Sequence, residues 1–194
     1  VDVQSTGASA ENLNLINKGE AEVALVQNDV MYYAYTATES FAGVDKNESF
    51  LTLGTVYPEV VQLVVAGDAG IETLADLKGK AVSIGDVGSG VESNAKQILA
   101  AAGIGLDEIT VRNLGFGESA NGIKDKTLDA AFVTAGTPTT AVTELAATND
   151  IKVLSLDQAV IDQLCADYGY YTEFVIPADV YGTDADAKTV AVKA

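Results

Sequence analysis

Strand-like and helix-like stretches alternate along almost the whole chain, and this alternation limits the folds open to it. Val1–Thr6 reads as a strand, Ser9–Lys18 as a helix stopped by Gly19, and Glu22–Gln27 as a buried strand. A helix is expected over Asp29–Glu39, a loop over Phe41–Ser49, and two β-rich segments over Phe50–Tyr57 and Val60–Ala66. Gly67–Gly70 interrupts the pattern. Beyond it the spacing predicts helices over Ile71–Leu77, Ser89–Ala102, Glu118–Lys126, Pro138–Ala147 and Gln158–Tyr168, with Pro138 in the first turn of its helix. The strands expected there are Ala81–Gly85, Thr110–Leu114, Ala130–Thr134, Ile151–Leu156, Thr172–Ile176 and Thr189–Lys193. A β-α-β-α order predicts an α/β protein with mostly parallel sheets flanked by helices. Runs such as Ala130-Ala131-Phe132-Val133 suit strands buried on both faces. The break at Gly67–Gly70 and the return through Thr172–Pro177 predict two lobes, residues 1–65 with 173–194, and 66–172.

Composition narrows the partners. The 28 Asp and Glu outnumber the 11 Lys and Arg, for a net charge of -17. Such a chain repels nucleic acid and anionic membrane surfaces. The longest apolar stretches, such as Val60–Ala66, fall far short of the roughly 20 residues a membrane span needs, so no insertion of this chain is expected. The sequence contains no His and one Cys. The commonest general base and metal ligand are therefore missing. Cys165 lies at a helical apolar position and reads as a small core residue. No cofactor, metal site or catalytic residue is expected.

In open α/β sheets, ligands bind beyond the carboxyl ends of strands. Four strand-to-helix turns merit attention. In Ser5-Thr6-Gly7-Ala8-Ser9, small residues allow close approach to the backbone, and the next helix offers free N–H groups to an anion; Ser9 is also a plausible N-cap. Gly85–Ser93 contains Gly88-Ser89-Gly90-Val91, which has neither dinucleotide-fingerprint nor P-loop spacing but feeds a helix N-terminus. Gly136 and Thr137 precede Pro138 after a buried strand. Gln27 ends another strand, with Asn28 or Asp29 as the next helix cap. Helix N-termini from two lobes, aimed at one cleft, would clamp a small anion.

Several of these segments resemble one family. They are Ser5-Thr6-Gly7-Ala8-Ser9 with Glu11-Asn12, Ala24-Leu25-Val26-Gln27-Asn28-Asp29-Val30, Tyr57-Pro58-Glu59-Val60-Val61-Gln62, Asp76-Leu77-Lys78-Gly79-Lys80, Gly88-Ser89-Gly90, and Asp129–Thr139. In order along the chain, they resemble the TAXI family, the solute-binding subunits of TRAP-type transporters. The resemblance implies a two-lobed type II periplasmic-binding-protein-like fold and an extracytoplasmic location, in a periplasm or anchored at the cell surface. It implies capture of a small anionic solute, glutamate or a related dicarboxylate, for delivery to the membrane subunits of a sodium-coupled TRAP transporter. The ligand-binding residues expected from the turns and the resemblance together are Ser9, Gln27, Tyr57, Ser89, Gly90, Val91, Gly136 and Thr137. The family usually has Thr where this chain has Val91, which removes a hydroxyl from the site. The family also extends further at both ends, which makes this sequence resemble the middle of a longer protein and implies weaker solute binding by this piece than by an intact one.

Two other readings compete with transport. A ligand-sensing domain of a regulator would need a DNA-binding or signalling module, and none is visible in this sequence. An enzyme on the same fold would need a nucleophile with its base, and no paired set stands out by spacing. Arg112, the only Arg, lies in an expected strand, which argues against bidentate recognition of a carboxylate.

Overall fold

A computed structural model describes residues 2–194. Seven strands form one sheet: β1 Pro58–Ala66, β2 Ala81–Ser83, β3 Thr110–Arg112, β4 Ala130–Ala135, β5 Ile151–Val153, β6 Thr172–Ile176 and β7 Ala187–Lys193. The order is β3-β2-β4-β1-β7-β6, with β5 also paired to β1. Six α-helices accompany them: α1 Ser9–Lys18, α2 Asn28–Thr36, α3 Gly90–Ala101, α4 Phe116–Lys124, α5 Thr140–Ala146 and α6 Gln158–Asp167.

The α/β class is as the alternation predicts, and the strand pairing is mixed. β2 pairs in parallel with β3 and β4, whereas β1 is antiparallel to β4, β5 and β7, and β6 to β7. Strands β2, β3, β4, β5 and β7 thus share one direction, and β1 and β6 run against them. The parallel set comes from βαβ units. The antiparallel ladders arise because β1 enters from the opposite end and inserts between strands of that set.

Alternation along β1 explains its unbroken apolar run. Val61, Leu63 and Val65 face one core with α3 and α6, through Ala95, Ile98, Ile161 and Leu164. Val60 and Val64 face a second core with α4 and α5, through Ile123, Val142 and Leu145. Helices therefore cover both faces, and β1 is buried from both sides. Before β1, helices α1 and α2 close a smaller core of Leu13, Val30, Tyr33, Ala34 and Phe41. The sheet is continuous from β3 to β6 across the expected lobe boundary at residue 66, and both main cores draw residues from each side of that boundary; only the small core of α1 and α2 lies wholly before it.

Several expected elements differ. Val1 lies outside the described residues, and residues 2–6, 22–27 and 50–57 pair in no ladder. Val56 and Tyr57 exchange backbone bonds with Ala194 just past β7, but the rest of these segments lies beside no strand, and Val3, Val23, Leu25, Leu51 and Leu53 stand exposed. Pro138 lies before the helix rather than in its first turn: Thr139 is the N-cap of α5, and the Thr137–Pro138 peptide is cis. Ile71–Leu77 shortens to a 3₁₀ turn at Leu74–Leu77, where Thr73 and Asp76 form a capping box. Gly19 stops α1 as expected, in the left-handed region at φ 71.

Candidate functional site

A cavity of about 370 Å³ lies where the first turns of α1 and α3 meet the carboxyl end of β4 and the approach to β1. Six of the eight expected residues line it: Ser9, Gln27, Tyr57, Ser89, Gly90 and Val91. Gly136 and Thr137 are not in its wall, although Gly136 packs near the Tyr57 ring, which would lie 3.6 Å from a Cβ placed there. The turn holding Gly136 and Thr137 is instead tied down from behind. Gln62 Nε2 donates to Thr139 Oγ1 at 2.9 Å, and Thr139 N donates to the Tyr181 hydroxyl at 2.7 Å.

Each side chain is held by local structure. Ser9 is the first residue of α1 rather than its cap, and its Oγ accepts Gln27 N at 3.1 Å. This bond ties the first turn of α1 to the segment that starts α2. Ser89 caps α3, with its Oγ accepting Glu92 N at 3.1 Å. Gly90 is required by proximity, since a Cβ there would overlap the Gln27 side-chain amide. The start of α3 is thus pressed directly against the start of α2.

The cavity carries negative charge and no positive side chain. Glu59 and Asp86 are in its wall, and no Lys or Arg is. The Tyr57 hydroxyl donates to Glu59 Oε1 at a long 3.4 Å. Burial, with the negative charge of Asp29 adding to it and the Tyr57 bond opposing it, pushes the Glu59 carboxyl up to about 7. Carboxylates also occupy part of the helix termini: Gly7 N donates to Glu11 Oε2, and Gly88 N to Glu92 Oε2 at 2.7 Å. The first-turn N–H groups of Ser9, Ala10, Gly90 and Val91 have no intrahelical partner, by the geometry of an α-helix.

Behind the cavity lies a buried polar network that the hydropathy pattern does not reveal. Asn94, on α3, donates from Nδ2 to Asp29 Oδ2 at 2.7 Å and to the Tyr171 hydroxyl at 2.8 Å. Its Oδ1 accepts Gln27 Nε2 at 3.2 Å and Thr134 Oγ1 at 3.1 Å. Tyr171 donates to Gln97 Oε1, and Gln97 Nε2 donates to the hydroxyls of Tyr33 and Tyr170. Asp29, expected only as a cap, is fully buried. That burial pushes its carboxyl from 3.8 to about 6, against the opposing bonds from Asn94, Val30 and Gln27. The residues missed from sequence are Glu59, Asp86, Asp29 and Asn94. The one available signal was that Glu59 and Asp86 sit beside turns already singled out.

A second, larger hollow of about 670 Å³ runs between residues 22–26 and 50–56. Its walls are mostly apolar, and it reaches Lys193 and Ala194 at the end of β7, sharing Leu25, Val26 and Ala194 with the first cavity. Among the described residues, no group of three or more His, Cys, Asp or Glu is arranged to hold a metal ion. Among the described residues, no helix is long and apolar enough to cross a membrane.

A three-layer α/β sheet with a cavity beyond its strand ends defines the class: this is the fold of periplasmic binding proteins. The chain belongs to the NMT1-like family, whose pattern it matches over residues 1–194. It is similar to the periplasmic aliphatic sulphonate binding protein SsuA from Escherichia coli, with a TM-score of 0.56 and 17% identity, covering 96% of this chain and 52% of that one. It is similar to the alkanesulfonate-binding protein SsuA from Xanthomonas axonopodis pv. citri bound to MOPS, with a TM-score of 0.56 and 20% identity, over 77% of this chain and 48% of that one. An ancestral arginine-binding protein bound to arginine matches with a TM-score of 0.50 and 20% identity, over 75% of this chain and 57% of that one. The chain therefore spans about half the length of these structures.

Proposed function

We propose that this chain is the solute-binding part of a transport system, working outside the cytoplasm and passing a small organic acid to membrane subunits. The observation that carries this reading is the cavity bordered by the first turns of α1 and α3. Free N–H groups at a helix start favour the negative end of a solute, and Ser9 and Ser89 present hydroxyls beside them. The volume falls in the range of small-molecule sites, about 300–1,000 Å³. The resemblance of Ser5–Asn12, Ala24–Val30 and Asp129–Thr139 to TAXI proteins supports a TRAP-type partner and a glutamate-like or dicarboxylate cargo. Similar structures named for sulfonate and arginine binding support the same kind of role. In this reading residues 1–65 with 173–194 and residues 66–172, joined through β1 in one sheet, both border the solute, and Gly136 and Thr137 join the contact from the turn after β4.

The serines support binding without chemistry. Ser9 Oγ and Ser89 Oγ both accept backbone N–H groups, and neither has a base beside it in these bonds. Calorimetric titration of a panel of amino acids, dicarboxylates and sulfonates tests the proposal. Saturable one-to-one binding by at least one, lost when Ser89→Trp fills the cavity, is the expected result. Heat signals that survive Ser89→Trp unchanged would place the binding elsewhere and defeat the proposal.

A further inference from the structure

Helix starts alone would suit any small anion, but the cavity wall does not. Its charged side chains are the carboxylates of Glu59, from β1, and Asp86, from the turn after β2. The four ion pairs among the described residues are Lys78–Glu108, Lys96–Glu92, Lys126–Asp68 and Lys152–Glu72. Neither cavity carboxylate takes part in them. Glu59 is half-buried, and its one side-chain bond is the long one from Tyr57. Asp86 is exposed and lies against Gly115, where a Cβ would stand 3.3 Å from its Oδ2. Meanwhile Glu11 and Glu92 hold Gly7 N and Gly88 N, which reduces what each terminus can offer an anion.

We infer that Glu59 and Asp86 are specificity-determining residues that select a solute carrying a positively charged nitrogen together with its acidic group. This rests on the solute-binding reading above and deepens it. At pH 8, where Glu59 is ionised, a purely anionic solute entering the cavity would face two carboxylates with no cation to offset them, and like charges at close range in a partly desolvated site disfavour binding. An ammonium group removes that conflict. It gives Glu59 the charged partner it lacks, while the acidic end of the same molecule faces the remaining N–H groups at Ser9–Ala10 and Gly90–Val91. The arrangement is complementary to a zwitterion and mismatched to a plain dianion of the same skeleton.

The experiment compares matched pairs with and without the ammonium group: L-glutamate against glutarate, and taurine against ethanesulfonate. Calorimetry is run at pH 8, where Glu59 is ionised, on the wild type, Glu59→Gln and Asp86→Asn, with each variant's fold checked by circular dichroism. A charge-assisted hydrogen bond corresponds to roughly ten-fold or more in affinity. In at least one pair the ammonium-bearing member should therefore bind at least about ten-fold tighter, and Glu59→Gln should remove most of that preference. Asp86→Asn changes an exposed residue and decides the matter if Glu59→Gln folds poorly; it should reduce the preference at least about three-fold. Equal or tighter binding of the ammonium-free members would overturn this inference and leave the solute-binding reading standing. So would an unchanged ratio in both variants. Binding of none of the four, nor of any solute in the wider panel, would overturn both.

Discussion

Asn94 Nδ2 lies 2.7 Å from Asp29 Oδ2, joining α3 to α2 across a site with no solvent access to either side chain. Asn94 also serves Gln27, Thr134 and Tyr171, so one amide bonds to four partners from α2, β4, the turn before α2 and the segment before β6. A network this dense is costly to leave partly satisfied. Asn94→Leu should destabilise the protein by about 2–4 kcal/mol, because the buried Asp29 then lacks its strongest side-chain donor. Urea denaturation followed by far-UV circular dichroism measures it, and a loss below about 0.5 kcal/mol would contradict the network's role.

Asp29 should also give stability a distinct pH dependence. Its carboxyl titrates near 6 in the folded protein and near 3.8 when exposed. Below pH 3.8 the group is protonated in both states, and its contribution is fully present. Between 3.8 and about 6 the unfolded chain releases the proton first, so stability falls as pH rises, and above about 6 the loss levels off. The total is about 3 kcal/mol, at 1.36 kcal/mol per unit. Asp68, Asp76 and Glu108 are lowered by their own bonds and pull the other way. The difference between wild type and Asp29→Asn, measured by urea midpoints from pH 4 to 7.5, isolates the Asp29 contribution. A pH-independent difference would refute it.

A Cβ at Gly90 would overlap the Gln27 side-chain amide. Gly90→Ala should force either the amide or the helix start to move, at a cost of about 1–3 kcal/mol. Solute affinity should fall with it, because Gln27, Gly90 and Val91 share the cavity wall. Gly117→Ala is the control: a Cβ there meets nothing within 4 Å, and it should leave affinity unchanged.

Glu59 links affinity to pH if it meets an ammonium group. The groups facing it are Tyr57, from the same segment, and Asp29, from α2. The Glu59 carboxyl titrates near 7, so raising pH from 6 to 8 charges it and should tighten binding of an ammonium-bearing solute by several-fold. The same titration with Glu59→Gln should be flat over this range. A wild-type affinity that does not change between pH 6 and 8 counts against the pairing.

The open hollow between residues 22–26 and 50–56 exposes Leu51 at 91% and Leu53 at 85%. Replacing both with Lys should sharply reduce binding of an apolar fluorescent dye and leave the melting temperature within about 2 °C, because surface changes away from packed features are usually within about 0.5 kcal/mol. A large drop in melting temperature would mean that these side chains pack more tightly than their exposure indicates.

The sheet after residue 57 was legible because β1 and β4 carry nearly unbroken apolar runs and α3 runs out at Gly103. The segments before it were misread for a physical reason: Glu22–Gln27 and Phe50–Tyr57 have strand sequences, but a strand exists only where a neighbour bonds it. The candidate site was legible through the turns before helices α1, α2 and α3, which bring Ser9, Gln27, Ser89 and Gly90 to one cavity wall. Its charge was harder to read. Glu59 lay inside a segment noted for likeness alone, and Asp86 looked like one more turn residue. Asn94 and Gln97 were invisible because hydropathy places polar residues on a helix's wet face, while here hydrogen bonds hold them inside.

The central position of β1 has a consequence for how the protein is made. Its ladder partners β4, β5 and β7 all lie in the second half of the sequence, and β7 comes last. During synthesis β1 leaves the ribosome long before any of them, as nine residues of mostly apolar chain with both edges open. Until β7 emerges, the middle of the nascent chain cannot be sealed, and its apolar strand stays open to pairing with other chains.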